Sequence, residues 1–529
     1  MNNFVIEEGH IFQREDFESY AKWKINDLLK SGMSSEEIIN FYDEDEWRSY
    51  VKSYIMSNSI STINLKWLTN PTGDPFADAG GFVIKYLLEK FPEKSILELI
   101  DYITKIYVEK WEGKLNAFFL NSKITQPAFQ GPKKIEETHN YFESLINETE
   151  PYEIGYCRIT GQETKLFFAG RDNSIMTGSG TLINFHHFFQ KGISLSKEAI
   201  IRMHFIPFAC QQLQGKIGLM QSSSEKISRL FVKQIVERNL HDLGLGVSEG
   251  VLKAGMSKPA NAIFDFVDYA LTQLIEFREE NNLPSLTLYH FTNFGASPDI
   301  QVYQLPANVF LFYRTCLQPK FKKDWLKFIR SYYSDSHYKG AKFNAQTDNF
   351  EIIKSKETES VHEEEYRQWY NRIYNKLLTG DSIRPEILQW SRLHPFNFEI
   401  VSIYQKNIIG MKKETIDKIK ELAVFLVREE DADKIKKRIK ALDGAKNASS
   451  LRRFILKDIV AANYAAGNEN PIITVEDYIN YLFPDGSYWN EIRDLLLIAI
   501  YQELHERNLI SEELKMELKD ENENESNNN

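Results

Sequence analysis

Cysteine is scarce in this 529-residue chain. It occurs only as Cys157, Cys210 and Cys316, an odd number set far apart. That excludes a disulfide framework, and it excludes a four-cysteine zinc site built from this chain alone. No apolar run reaches membrane-spanning length, and Met1-Asn2-Asn3-Phe4 does not open a secretory leader, so a cytoplasmic protein with no membrane partner is expected. Positive charge is not in excess either. The net charge is −11, which argues against a surface coated all round for nucleic acid but leaves room for one basic groove. Walker loops, nucleophile elbows and paired-carboxylate motifs are missing. Gly244, Gly246 and Gly250 have the wrong last spacing for a dinucleotide loop, and the preceding Arg229–Asn239 reads as helix rather than strand. His362-Glu363-Glu364-Glu365-Tyr366 lacks the second histidine of a zincin helix. His186, His187 and His204 have no carboxylate or cysteine at matching spacing, so no metal and no cofactor are expected.

What is present is a globular composition, 42% hydrophobic and 13% aromatic, long enough for two to four domains. The stretch Asn70 to Gly81 packs two prolines, three glycines and two aspartates into twelve residues and runs straight into Phe82-Val83-Ile84. It predicts a rigid turn feeding a helix, with Asp78 as N-cap. Such a helix start suits an anion, unless it is an ordinary tight turn under a helix.

Helices are predicted at Phe17–Lys30, at Ser35–Phe41 and at Ser95–Lys110, where Ile96, Leu99, Ile100, Ile103 and Ile106 recur at three and four. From Tyr152 to about Leu317 the pattern turns to short β-like runs. Leu286–Phe291 and Ile300–Leu305 alternate with period two and predict strands, whereas Lys197–Gln214 reads as helix. Beyond about residue 360 helical periodicity dominates, with Ile416, Ile419, Ala423 and Leu426 on one helix and Ile435, Ile439 and Leu442 on another. A last helix is expected from Trp489 through Leu509. The expectation is an α+β multidomain protein, mixed in its N-terminal (1–150) and middle (151–355) portions. An all-α bundle (360–518) and a disordered acidic tail (519–529) follow.

Two tracts interleave cations with aromatics or cluster them densely. One carries Lys320, Lys322, Lys323, Lys327 and Arg330 among Phe321, Trp325 and Phe328. The other carries Lys434, Lys436, Lys437, Arg438, Lys440, Lys446, Arg452, Arg453 and Lys457. They read either as a groove that neutralises phosphates while aromatics stack on bases, or as charged helix faces. Polar loops at Asn70–Asp74, Asn121–Gln126, Gln211–Lys216 and Asn293–Ser297 offer amides and hydroxyls to base edges. The candidates there are Asn70, Thr72, Asn121, Gln126, Gln211, Gln212, Gln214, Lys216 and Asn293. No catalytic residue is assigned. The rival reading, a metal-dependent nuclease, would draw on Asp74, Asp78 and Asp172.

Several segments, taken in order, resemble one family. They are Thr72-Gly73-Asp74-Pro75-Phe76-Ala77-Asp78-Ala79-Gly80, Leu120-Asn121-Ser122 with Thr125-Gln126-Pro127-Ala128-Phe129, and Asn184-Phe185. They continue with Leu286–Tyr289, Ile300–Pro306, and Arg493-Asp494-Leu495-Leu496-Leu497-Ile498-Ala499. The set resembles the Cst-one branch of the Cas-eight family, the large subunits of type I-B CRISPR effector complexes (Cascade). The resemblance implies a non-enzymatic subunit in antiviral defence that binds CRISPR RNA and target DNA. It would read the motif flanking the target, help open the duplex into an R-loop and recruit a helicase-nuclease beside backbone and small subunits. Many members carry two Cys-x-x-Cys pairs resembling a zinc site. Here the first is reduced to Cys157-Arg158-Ile159-Thr160-Gly161 and the second region, Ser194–Ala199, has no cysteine, so packing rather than zinc is expected to hold it. Met411 opens a helix at the boundary where related systems start a separate small subunit. Expectations for a guided transposition role or for a standalone phage-defence protein stay open.

Overall fold

The computed structural model describes residues 4–6, 10–12, 14–31, 33, 35–57, 63–177, 192–274, 284–294, 298–354, 357–429, 431–467, 469–483 and 488–510. The acidic tail 519–529, the Asn184–His187 segment and positions 295–297 lie outside them. The chain is an α+β protein that divides into two compact units. One comprises 1–266 with 286–304, and the other 267–285 with 305–529. The dividing points fall inside the helix Pro259–Gln273 and at the end of the strand Asp299–Leu305.

In the first unit, the helices Arg14–Lys30 and Asp45–Ser57 bury Phe17, Ala21, Ile25, Trp47 and Val51 in a small core of their own. The main core is built on the helix Pro75–Lys90, which packs against the helices Lys197–Phe205 and Glu225–Gly244. The helix Ile96–Lys105 begins with a capping box in which Ser95 and Glu98 bond each other's backbone N–H groups. It continues as a π-turn, Ile106–Lys110. Beside these lie two sheets. Tyr152–Tyr156, Glu163–Ala169 and Ile193–Leu195 form an antiparallel trio. Gln211–Leu213, Lys216–Ser222, Leu286–Thr292 and Asp299–Leu305 are neighbours in that order.

Both predicted strands are therefore present, but the helix expected over Lys197–Gln214 is not continuous. It ends at Phe205, passes through a 3-10 turn at Ile206–Ala209, and the chain then pairs as strand. Pro207 has no N–H for an α-helical ladder, which is the local cause.

In the second unit, the helices Ala307–Cys316 and Pro319–Arg330 precede a three-stranded antiparallel sheet, Lys342–Asn344, Asn349–Lys354 and Glu357–Val361. The bundle beyond it is organised around the helix Trp489–Glu506, against which Arg384–Leu393, Lys413–Val427, Ala432–Asp443 and Ala448–Phe454 pack. Leu495 to Tyr501 are buried without a break, so the middle of this helix is apolar on every side, as the middle of a central helix must be. The predicted stripes Ile416, Ile419, Ala423 and Leu426, and Ile435, Ile439 and Leu442, are its cover. No helix of the described residues is long and apolar enough to cross a membrane.

Candidate nucleic-acid interface

The Asn70–Gly81 turn is closed by its own carboxylates. The N-cap of the helix is Asp74, not Asp78: Asp74 Oδ1 accepts from Phe76 N at 3.0 Å and Ala77 N at 2.7 Å, and Pro75 follows at the first helical position. Asp78 sits one turn inside, buried. Its Oδ1 accepts from Thr72 N at 2.6 Å and from the Thr72 hydroxyl at 2.7 Å, and its Oδ2 accepts from Gly73 N at 3.0 Å. Gly73 has φ +89°, the left-handed conformation that turns this N–H inward.

Arg202 then locks the turn from the facing helix. It donates to Trp67 O at 3.0 and 2.6 Å and to Asn70 O at 2.5 Å, and its Nη1 lies 3.4 Å from Asp78 Oδ1. The N–H groups that would have met an external anion are thus taken, and Thr72 is consumed with them. Of the two readings of this stretch, these bonds favour the ordinary tight turn under a helix over an anion site. Asn70 keeps its side chain at the surface.

The other amide loops divide the same way. Asn293 is fully buried and donates from Nδ2 to Phe118 O at 2.9 Å, while its carbonyl accepts from Arg171. It clamps the fold and does not reach a base. Gln211 and Gln212 are strand residues. Gln214 and Gly215, with φ of 46° and 78°, form the two-residue hairpin between Leu213 and Lys216. Gln212 and Gln214 are exposed there, while Lys216 pairs with Asp299 at 2.6 Å.

The Asn121–Gln126 loop opens onto a cavity. Of about 230 Å³, the cavity is lined by Asn121, Lys123, Gln126, Asp172 and Asn173 over the rings of Phe119 and Phe142. Asn121 holds φ 69°, and Gln126 Nε2 donates to its carbonyl at 3.0 Å. His204 closes the floor at 2.9 Å from Thr104 Oγ1. Burial pushes its pKa down from 6.5 to about 3, so it is a neutral ring in the core.

The first basic tract forms the helix Pro319–Arg330. Its aromatics Phe321, Trp325 and Phe328 are buried, so they serve the core and cannot stack on bases, which leaves the charged-helix-face reading of these rings over the stacking one. Lys322 and Lys323 are exposed and Lys327 half-buried. Lys320 pairs with Glu399, and Arg330 with Glu363 at 3.0 Å and Asp348 at 3.4 Å.

In the second tract, Lys434 pairs with Glu429 at 3.0 Å. Arg438 donates to Leu426 O at 2.7 Å and lies 3.4 Å from the same Glu429, so these two cations brace a helix junction. Lys436 is half-buried, whereas Lys437, Lys440 and Lys446 are exposed. Arg452, Arg453 and Lys457 make an exposed basic face around Leu456, with Arg452 also 5.0 Å from the Phe483 ring.

The three suspected nuclease carboxylates serve separate ends. Asp74 and Asp78 hold the turn, and Asp172 lines the 230 Å³ cavity without them. Among the described residues, no group of three or more His, Cys, Asp or Glu side chains is placed to hold a metal ion. At the remnant of the cysteine motif, Cys157 Sγ accepts from Ser196 N at 3.3 Å. Burial alone would raise its pKa, but this bond and others from Thr160 and Ile159 bring the thiol below its usual range. Thr160 and Ser196 surround the sulfur, and the Gly161 turn, φ +68°, closes the hairpin beside it.

Residues 389–529 match the family model described as the DevT C-terminal domain. The matched stretch lies in the second unit and spans the Lys434–Lys457 tract. No curated protein matches the chain.

Proposed function

We propose that this chain is the Cas-eight-like large subunit of a type I-B CRISPR effector complex, a non-catalytic protein that binds nucleic acid in antiviral defence. The observation that carries the reading is the match of residues 389–529 to the DevT C-terminal domain, DevT being a name for a Cas-eight-like subunit of type I-B Cascade. Two features support it. The bundle presents Lys437, Arg452, Arg453 and Lys457 to solvent, cations of the kind that neutralise phosphates without reading sequence. In the first unit, Asn121 and Gln126 stand at a small cavity where an amide can meet a base edge, with Asn70, Gln212 and Gln214 exposed on other loops.

On this reading, guide pairing supplies sequence specificity. The large subunit reads the flanking motif, holds the displaced strand and recruits the helicase-nuclease. The decisive experiment expresses the chain with its neighbouring genes. Co-purification of a repeat-derived RNA and a backbone subunit is the expected result, and a chain that purifies alone overturns it. Incubation with DNA and Mg²⁺ or Mn²⁺ is expected to leave the DNA intact.

A further inference from the structure

The second unit contains a cavity of about 590 Å³, within the ~300–1,000 Å³ range of small-molecule sites. Its walls come from the end of the helix Pro259–Gln273, the helices Ala307–Cys316 and Pro319–Arg330, and the segment after Val361. Four cationic side chains line it, Arg314, Lys322, Arg330 and Arg367, against two carboxylates, Asp268 and Glu363. Glu363 accepts from Arg330 at 3.0 Å, and Asp268 accepts from the Tyr313 hydroxyl at 3.4 Å. Both carboxylates therefore have partners within the fold. Arg314 and Arg367 also interact within the chain, and burial pulls the Arg314 guanidinium down from its usual range. The rest of the wall is mixed: Leu271, Leu317, Leu326 and Ile329 give it an apolar part, beside Thr272, Gln318 and the Tyr333 and Tyr374 rings.

We propose that this cavity binds a nucleoside phosphate, its phosphoryl group on Arg314, Lys322 and Arg367 and its base against the Leu317 and Leu326 wall. Arginine forks match phosphate oxygens two at a time, and a phosphate on a partly desolvated wall is held more strongly by each cation than it would be in water. An apolar wall beside them suits a ring system rather than a bare inorganic ion. The same ligand chemistry has two sources, a free nucleotide or the phosphorylated end of a strand. The exposed Lys322 and Lys323, with half-buried Lys327 on the same helix, give a strand an approach to the mouth. The proposal goes beyond the effector-complex reading and does not depend on it.

The test is calorimetric titration of the full chain with thymidine 5′-monophosphate, thymidine and inorganic phosphate. Saturable binding of the monophosphate, with thymidine silent and phosphate weaker, is expected. Arg314→Gln and Arg367→Gln should each weaken binding about tenfold or more, since each removes charge-assisted hydrogen bonds. Lys322→Gln, at an exposed position, should weaken it severalfold, and Lys420→Gln, exposed on another helix of the second unit, should not change it. A 5′-phosphorylated oligothymidylate that displaces the monophosphate, where its 5′-hydroxyl twin does not, identifies a strand end as the source. Displacement by neither identifies the free nucleotide. If neither the monophosphate nor the phosphorylated oligomer binds, or if Lys322→Gln and Arg314→Gln both leave binding unchanged, the proposal is overturned. Co-purification with guide RNA would be unaffected by that failure, so the two readings are separable.

Discussion

Arg202 Nη1 lies 3.4 Å from Asp78 Oδ1 across 124 positions of sequence, and both side chains are buried. Around this pair the helix Pro75–Lys90 and the helix Lys197–Phe205 come together so closely that a Cβ on Gly80 would stand 2.0 Å from the Arg202 carbonyl oxygen. The turn, the small residues after it and the arginine are one device. Asp78 gathers three donors from the turn, and Arg202 ties the carbonyls of Trp67 and Asn70 to the same point.

Replacing Asp78 by Asn takes the largest counter-charge from buried Arg202 and leaves it the weaker pull of Glu198 and Asp74. Losing one member of a buried pair typically costs ~3–5 kcal/mol. A denaturant titration of Asp78→Asn should show that loss in the transition of the first unit. Gly80→Ala should cost a comparable amount by overpacking against backbone that has no rotamer to yield. If both variants unfold at the wild-type midpoint, the pair does not organise the fold.

The pH dependence of the same core follows from His204. Its folded pKa is about 3 because burial disfavours the charged ring, whereas an unfolded histidine takes up a proton near 6.5. Between pH 6.5 and about 3 the unfolded state therefore binds the extra proton, so this stability contribution is present above 6.5 and is lost as pH falls, by about 1.4 kcal/mol per pH unit. Glu148, held low against its burial by Lys165 and Lys197, changes in the same direction nearer its own range. Glu198, raised by burial, opposes it. His204→Asn isolates the histidine. Whatever its effect at pH 7, its stability should fall less steeply with acid, and an unchanged slope would refute the assignment.

Much of this architecture is legible in the residues. The three-and-four spacing of Ile96 to Ile106, the alternation at Leu286–Phe291 and the stripes of the bundle all become the elements they predict. One misplaced cap and one open choice have their resolution in plain view. Pro75 marks the first helical residue and so makes Asp74 the cap, and Phe321, Trp325 and Phe328 already recur at core spacing. Arg202, the burial of Asn293 and the cavity around Arg314 had no such signal. Each depends on partners more than a helix or a strand away in the chain, which local periodicity does not encode.

The corrected basic surface makes a graded prediction for DNA binding. Lys437, Arg453 and Lys457 are exposed, whereas Lys434 is held by Glu429. A Lys437→Gln, Arg453→Gln, Lys457→Gln variant should bind DNA more weakly, and the slope of log affinity against log salt should drop by about 0.9 for each phosphate contact removed. Lys434→Gln should leave both quantities near wild type. Trp325→Leu should lower stability without altering the salt slope, because its ring faces the core. Equal effects from Lys434 and the exposed triple would mean that the bundle face is not the contact.

A separate product beginning at Met411 would have to manage without the helix Arg384–Leu393. That helix packs on the central Trp489–Glu506 helix, and its Ile387, Leu388 and Trp390 are buried. Arg384 donates to Asp494 at 3.1 Å and to Glu491 at 2.8 Å, and Ser391 O accepts from His505 at 2.9 Å. Removing 384–410 uncovers one side of the buried Leu495–Tyr501 stretch and takes Arg384 from Asp494, leaving it the bond to its neighbour Arg493. Met411–Asn529 made alone should therefore self-associate or bind another subunit through that side, and a fragment starting near Ser382 should be monomeric and melt higher. Light scattering and thermal unfolding of the two fragments decide this. A monomeric, equally stable Met411 fragment would show that the Arg384–Leu393 helix is dispensable to the bundle.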